Sequence, residues 1–170
     1  MWEETIANGE APAIAQYSKL TSHVAELTSS PSILKQPQSN IIELYVMAGS
    51  IKPMFDKMVM EMGAEFQKRT GKRLKLSIPG VLKKTSRMVE KGQLKATKKG
   101  SVAGVKDVVR AMVTGKSMAD VNVVIEIVIE NHKAKKLELV RLKDRFIEAP
   151  SNGGWRDAML NIFLVDENGN

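Results

Sequence analysis

Leu137-Glu138-Leu139-Val140-Arg141-Leu142-Lys143-Asp144-Arg145-Phe146 is the stretch on which the fold turns. Successive side chains of a strand point to opposite faces, so a two-residue period in polarity is its mark. Leu139, Arg141, Lys143 and Arg145 alternate here with Glu138, Val140, Leu142 and Asp144, which predicts a strand with one cationic face. Three like charges on one face repel one another, and that arrangement asks for an anion. The segment before it has another period. Met118, Val121, Val124, Ile125, Val128 and Ile129 recur at three and four residues, one apolar face of a helix. Ser117 opens that helix, with Asp120 three residues on as an approximate capping box. Its many β-branched residues are mediocre helix formers, so burial must offset weak propensity.

Working outward from this pair, Leu74, Leu76 and Ile78 alternate with polar residues and stop at Pro79-Gly80, a strand and a turn. Val81 to about Leu94 reads as a basic helix, or a helix and a loop, and Val105 to Thr114, with Val108-Val109 and Ala111-Met112-Val113, contains a short buried strand. After the loop Pro150-Ser151-Asn152-Gly153-Gly154, Ala158 to Val165 is a final strand. The order β-α-β-α-β-β predicts an α/β (α+β) fold: a mixed sheet of four to five strands with flanking helices, preceded by a helical amino-terminal segment. Residues 1–40 form a partly helical extension, with a helix from Ala13 to Leu27 carrying Ile14, Tyr17, Leu20, Val24 and Leu27 on one side. Residues 41–72 hold a second helix, from Ile41 to Arg69, which Pro53 should kink or split and Thr70-Gly71 should stop. The six methionines between Met47 and Met88 read as flexible core filler. Residues 73–170 are the sheet domain.

The chain has 170 residues, 43% hydrophobic and 26% charged, an ordinary globular composition. It lacks cysteine, which excludes disulfides, thiolate metal sites and a cysteine nucleophile. No apolar run is long enough to span a bilayer, and the acidic start Met1-Trp2-Glu3-Glu4 does not read as a signal peptide, so no membrane partner and a cytoplasmic location are expected. The net charge of +7 is unevenly placed. From Lys68 to Lys116 there are fifteen Lys/Arg against two acids, Glu90 and Asp107, a local net of +13; the remainder carries −6. Such asymmetry points to an anionic partner for the middle segment, beside the plainer reading of a solvated basic face. His23 and His132 stand alone, without a second histidine at i+3 or i+4, and read as surface residues.

Three blocks in register carry a resemblance. They are Pro79-Gly80-Val81-Leu82-Lys83-Lys84-Thr85-Ser86-Arg87-Met88-Val89-Glu90-Lys91; Val105-Lys106-Asp107-Val108-Val109-Arg110-Ala111-Met112-Val113; and Val140 to Phe146 followed by Pro150 and Gly154-Trp155-Arg156-Asp157. Their order is similar to that of RelA/SpoT-like synthetase domains of nucleotidyltransferase type, especially the branch with Gly-Tyr-Arg-Asp, over about residues 74–165. The resemblance implies transfer of a pyrophosphate group from ATP to the 3′-hydroxyl of GDP or GTP, with Mg²⁺ bridging the phosphates. It implies that Asp107 is the catalytic, magnesium-binding aspartate. Lys83, Lys84, Arg87, Lys91 and Arg110, with Arg141, Lys143 and Arg145 of the basic strand, would face nucleotide phosphates. Trp155 stands where a tyrosine stacks on the acceptor base, and an indole can stack as well.

The departures from that pattern bear on activity. Met159 stands where the classical enzymes have a histidine. The family's catalytic glutamate belongs to a strand after a turn, which Asn168-Gly169 would supply. A chain cut short before that strand, and therefore weak or inactive in transfer, is the expectation, with an exposed last strand open to oligomerisation. Each residue also has a plainer role: Asp107 as a cap or a partner of Arg110, the lysines as a charged face, Trp155 as packing. The alternative functions are a basic RNA-binding module and a degenerate structural domain of the same fold.

Overall fold

A computed structural model describes residues 10–28, 40–84, 86, 107–147 and 156–164. Its elements are α1 (Ala11–Leu27), α2 (Ile41–Thr70), β1 (Lys75–Ser77), β2 (Met112–Thr114), α3 (Met118–Lys133), β3 (Leu137–Asp144) and β4 (Ala158–Leu164). The class is α+β. The four strands among the described residues form two separate pairs, β1 with β2 and β3 with β4, where one mixed sheet of four to five strands was expected. The chain divides into two compact units: residues 1–31, 65–74 and 114–170, and residues 32–64 and 75–113.

In the first unit α1 packs on α3 and β3, and α3 packs on β3. Tyr17 and Val24 of α1, Ile125 and Ile127 of α3, and Leu137, Leu139 and Val140 of β3 are all buried. The start of α3 follows the expected capping box in part. Ser117 Oγ accepts from the Asp120 N–H at 3.2 Å, but the Asp120 carboxylate takes the Lys116 N–H at 2.9 Å rather than that of the cap residue. The Lys72 ammonium lies 3.1 Å from the other Asp120 oxygen. Burial disfavours the charge on Asp120, yet these donors hold its carboxyl below the usual aspartate value. Gly115 makes room for this: a Cβ there would stand 2.7 Å from Asp120 Cβ. Asn122, buried one turn into α3, donates to the Ala13 carbonyl at 2.8 Å and so ties α3 to the first turn of α1. At the carboxy ends, Arg69 bridges Glu65 and Glu130, and its guanidinium keeps both carboxyls below their ordinary value.

The second unit is built on residues 41–64 of α2. Leu44 and Ala48 form a small buried cluster with Val108, flanked by Ile41, Tyr45, Met47, Leu82 and Val109. This packing corrects the reading of 105–114. Val108 is buried because its loop lies on α2, and the strand that follows, Met112–Thr114, alternates exposed, half-buried, exposed. Leu76 does alternate as expected in β1, and sits close under Gly63 of α2. Residues 81–84, the described beginning of the basic segment, are not helical, whereas Ser86 is. Pro53 does not split α2, which runs unbroken through it. Of the methionines read as core filler, Met54 is 38% and Met60 55% exposed, so that reading fails for them. Arg87, Lys91, Trp155, the loop 150–154 and the Asn168-Gly169 turn lie outside the described residues.

Both long helices end in defined stops. Gly71, at φ +70°, donates to the Gln67 carbonyl at 2.8 Å and closes α2, as Thr70-Gly71 foretold. The end of α3 also closes on a left-handed residue, but without a glycine and with another hydrogen-bond pattern. Lys135 N–H donates to the His132 carbonyl at 2.9 Å and Lys136 N–H to the Asn131 carbonyl at 3.0 Å, a Schellman closure with Lys135 at φ 57°. A lysine in left-handed backbone costs roughly 1 kcal/mol against glycine. Lys135→Gly should therefore raise the unfolding free energy by about 0.5–1 kcal/mol, the gain reduced by the entropy glycine adds to the unfolded chain. Urea denaturation of both proteins measures it, and a destabilised variant would contradict the closure described.

Candidate functional site

The antiparallel β3–β4 ladder decides which way the cations point. Its pairs are Leu137 with Leu164, Glu138 with Phe163, Leu139 with Ile162, Arg141 with Asn161, Leu142 with Leu160, Lys143 with Met159 and Asp144 with Ala158. The register shifts between Leu139 and Arg141, so Val140 is an extra residue, a β-bulge. A bulge changes the phase of a strand. Leu137 and Leu139 are buried before it, Val140 and Asp144 after it, while Glu138, Arg141 and Lys143 are exposed. The outer face of the ladder thus carries Glu138, Arg141 and Lys143 from β3, with Phe163, Asn161 and Met159 across from them on β4.

Arg141 and Lys143 share a face as expected, and both are exposed. Neither makes an ion pair among the described residues. Arg145 does not join them: β3 ends at Asp144, and Arg145 begins a turn. Its guanidinium forms a two-pronged contact with Asp157, Nε at 2.6 Å and Nη2 at 2.5 Å, and its own N–H donates to the Asp157 carbonyl at 2.8 Å. That carboxylate raises the Arg145 pKa further. The third cation of the strand is therefore a structural clasp across the β3–β4 connection, joined there by Arg156, which donates to the Phe146 carbonyl at 2.5 Å.

Asp144 is the residue that alternation alone did not single out. It is 7% exposed, and one carboxylate oxygen accepts from the Tyr17 hydroxyl at 2.9 Å, the Phe146 N–H at 2.8 Å and the Ile147 N–H at 3.2 Å. The Phe146 ring meets Tyr17 edge to face at 5.5 Å between centroids. A tyrosine on the buried side of an amino-terminal helix and an aspartate closing a strand were both visible, but nothing in the spacing paired positions so far apart.

Asp107 and Lys83 are brought together in the second unit. Lys83 is buried, at 7% exposure, and its ammonium lies 2.5 Å from Asp107 Oδ2, whose side chain is one-third exposed. Lys83 is fixed at the backbone as well: its N–H donates to the Val108 carbonyl at 3.2 Å, and its carbonyl accepts from the Tyr45 hydroxyl. Lys84 and Arg110 are exposed. Among the described residues no three acidic or histidine side chains gather as a metal cluster. His132 is half-buried and accepts the Leu139 N–H on Nδ1 at 3.3 Å, a contact from α3 to β3 rather than an isolated surface position. No helix among the described residues is long and apolar enough to cross a membrane.

The buried pair gives a direct test. Removing Asp107 leaves a buried ammonium without that counter-charge, while replacing both partners leaves none. Asp107→Asn should destabilise by about 1–3 kcal/mol, discounted for the carboxylate's partial exposure, and adding Lys83→Met should recover part of the loss. Equal destabilisation by Asp107→Asn in both backgrounds would show that the two residues are not energetically coupled.

No protein-family model matches the chain, and neither does any curated protein or solved structure.

Proposed function

We propose that residues 73–170 form a nucleotide-binding domain of the RelA/SpoT-like, alarmone-synthetase type, which holds ATP and GDP or GTP with Mg²⁺. The reading rests on the three sequence blocks. The structural observation that carries it is the exposed pair Arg141 and Lys143, on one face of β3 and without ion pairs among the described residues. Two cations held side by side on a strand repel each other in the free protein, and a phosphate chain relieves that repulsion. The guanidinium can take two phosphate oxygens in its plane, and the ammonium acts as a point charge beside it. Within the same reading the β3–β4 ladder belongs to a nucleotidyltransferase-type mixed sheet.

Asp107 fits a magnesium ion only as a minor ligand. It offers one carboxylate, shared with the Lys83 ammonium, and Mg²⁺ bound mainly through substrate phosphates needs only one or two carboxylates from the protein. Bound with a nucleotide, the ion would neutralise phosphate charge. The chain's own contribution is then binding, with Arg141 and Lys143 on the phosphates.

Calorimetric titration with GDP and ATP, with and without Mg²⁺, tests the reading. Each charge-assisted contact is worth about 1.5–3 kcal/mol, so Arg141→Gln or Lys143→Gln should weaken binding about tenfold or more. Steeply salt-dependent RNA binding with no Mg²⁺-dependent nucleotide binding would replace this reading by the nucleic-acid one.

A further inference from the structure

Cross-strand pairing places two large apolar side chains of β4 on the face that carries the cations. Phe163 is paired with Glu138, Asn161 with Arg141, and Met159 with Lys143, so all six side chains stand on the outer face of the ladder. Phe163 is 39% and Met159 42% exposed, a large open area for side chains of this size on a cationic face. The inner face is satisfied by α1 and α3, which pack on β3. Across its two strands the outer face therefore offers an aromatic ring with the Glu138 carboxylate opposite it, two cations without ion pairs among the described residues, Asn161 opposite Arg141, and a flexible thioether opposite Lys143.

The spacing limits what can lie there. Phe163 and Met159 are four residues apart on one strand, about 13 Å, with Arg141 facing the position midway. A simple phosphate or polyphosphate would use the cations and leave the ring idle. A lipid or apolar peptide would use the ring and leave the cations unmatched. An aromatic base joined through a sugar to phosphates satisfies both, because a base can stack on a phenyl ring while its phosphates reach the cations.

We propose that the outer face of the β3–β4 ladder is a nucleoside-polyphosphate platform on which Phe163 stacks the base while Arg141 and Lys143 hold the phosphates. This inference deepens the nucleotide-binding reading and rests on it. It moves the base to β4 from Trp155, the position to which the sequence resemblance had assigned stacking. Stacking on a ring without hydrogen bonds tolerates different bases, so GDP and ADP should lose affinity alike when Phe163 is truncated.

The test is calorimetric titration of the full chain with GDP, ADP and inorganic pyrophosphate, the last as a base-free probe. Phe163→Ala is expected to weaken GDP and ADP about tenfold and leave pyrophosphate unchanged, with Phe163→Trp restoring both nucleotides. Phe163 is exposed, and circular-dichroism spectra and melting temperatures matched to the parent verify that the variants are folded. If Phe163→Ala binds GDP as tightly as the parent while Arg141→Gln loses it, the platform is overturned and the nucleotide-binding reading stands. If the folded parent binds pyrophosphate but gains nothing from a base, the platform is likewise overturned. If it binds none of the three, both fall.

Discussion

The first unit depends on one buried carboxylate. Asp144 ends β3, and a single oxygen collects the Tyr17 hydroxyl and the N–H groups of Phe146 and Ile147. A polar side chain at 7% exposure is tolerable only because donors surround it. The same contacts do three things at once. They stop the strand by turning the next two N–H groups back onto its last side chain. They fasten α1, the amino-terminal helix, to a strand more than a hundred residues away in sequence. They also fix the inward phase of β3 after the bulge, so that Arg141 and Lys143 point outward.

The bulge at Val140 is the complementary constraint. Without it, strict alternation would put Leu139 on the face with Arg141 and Lys143, and one of the most buried side chains of the unit would be in water. One inserted residue lets Leu137 and Leu139 face the helices before it and Val140, Leu142 and Asp144 after it. The exposed cations and the buried leucines are thus two results of one local irregularity. The clasp of Arg145 on Asp157 then closes the far end of the ladder, and converts an expected ligand-facing cation into a structural one.

Much of this was legible in the sequence, and the failures share a cause. Helical periodicity placed α1, α2 and α3 to within a few residues, because each has apolar residues at three- and four-residue spacing, with a recognisable stop for α2 and a cap for α3. The outward pair Arg141 and Lys143 was readable from alternation, which survives locally on either side of a bulge. The bulge itself was not readable, since it is set by what packs beneath, and neither was the ladder partner that puts Phe163 on the face of the cations. Val108 looked like a strand residue because a short apolar run has no period to separate a strand from a loop lying on a helix. Met54 and Met60 of α2 misled in the opposite direction: composition says that a residue can be buried, and only neighbours say whether it is. Of the candidate site, the residue types were visible but not their pairing; Lys83 and Arg145 each have a carboxylate partner distant in sequence.

A double-mutant cycle on Tyr17 and Asp144 tests most directly whether the buried carboxylate organises the first unit. Unfolding free energies of the parent, Tyr17→Phe, Asp144→Ala and the double variant give the coupling between the two side chains. The account predicts a coupling of about 1–3 kcal/mol, with Asp144→Ala the more damaging single change because it also abandons two backbone N–H groups. A coupling near zero, or equal losses from the two single variants, would contradict it.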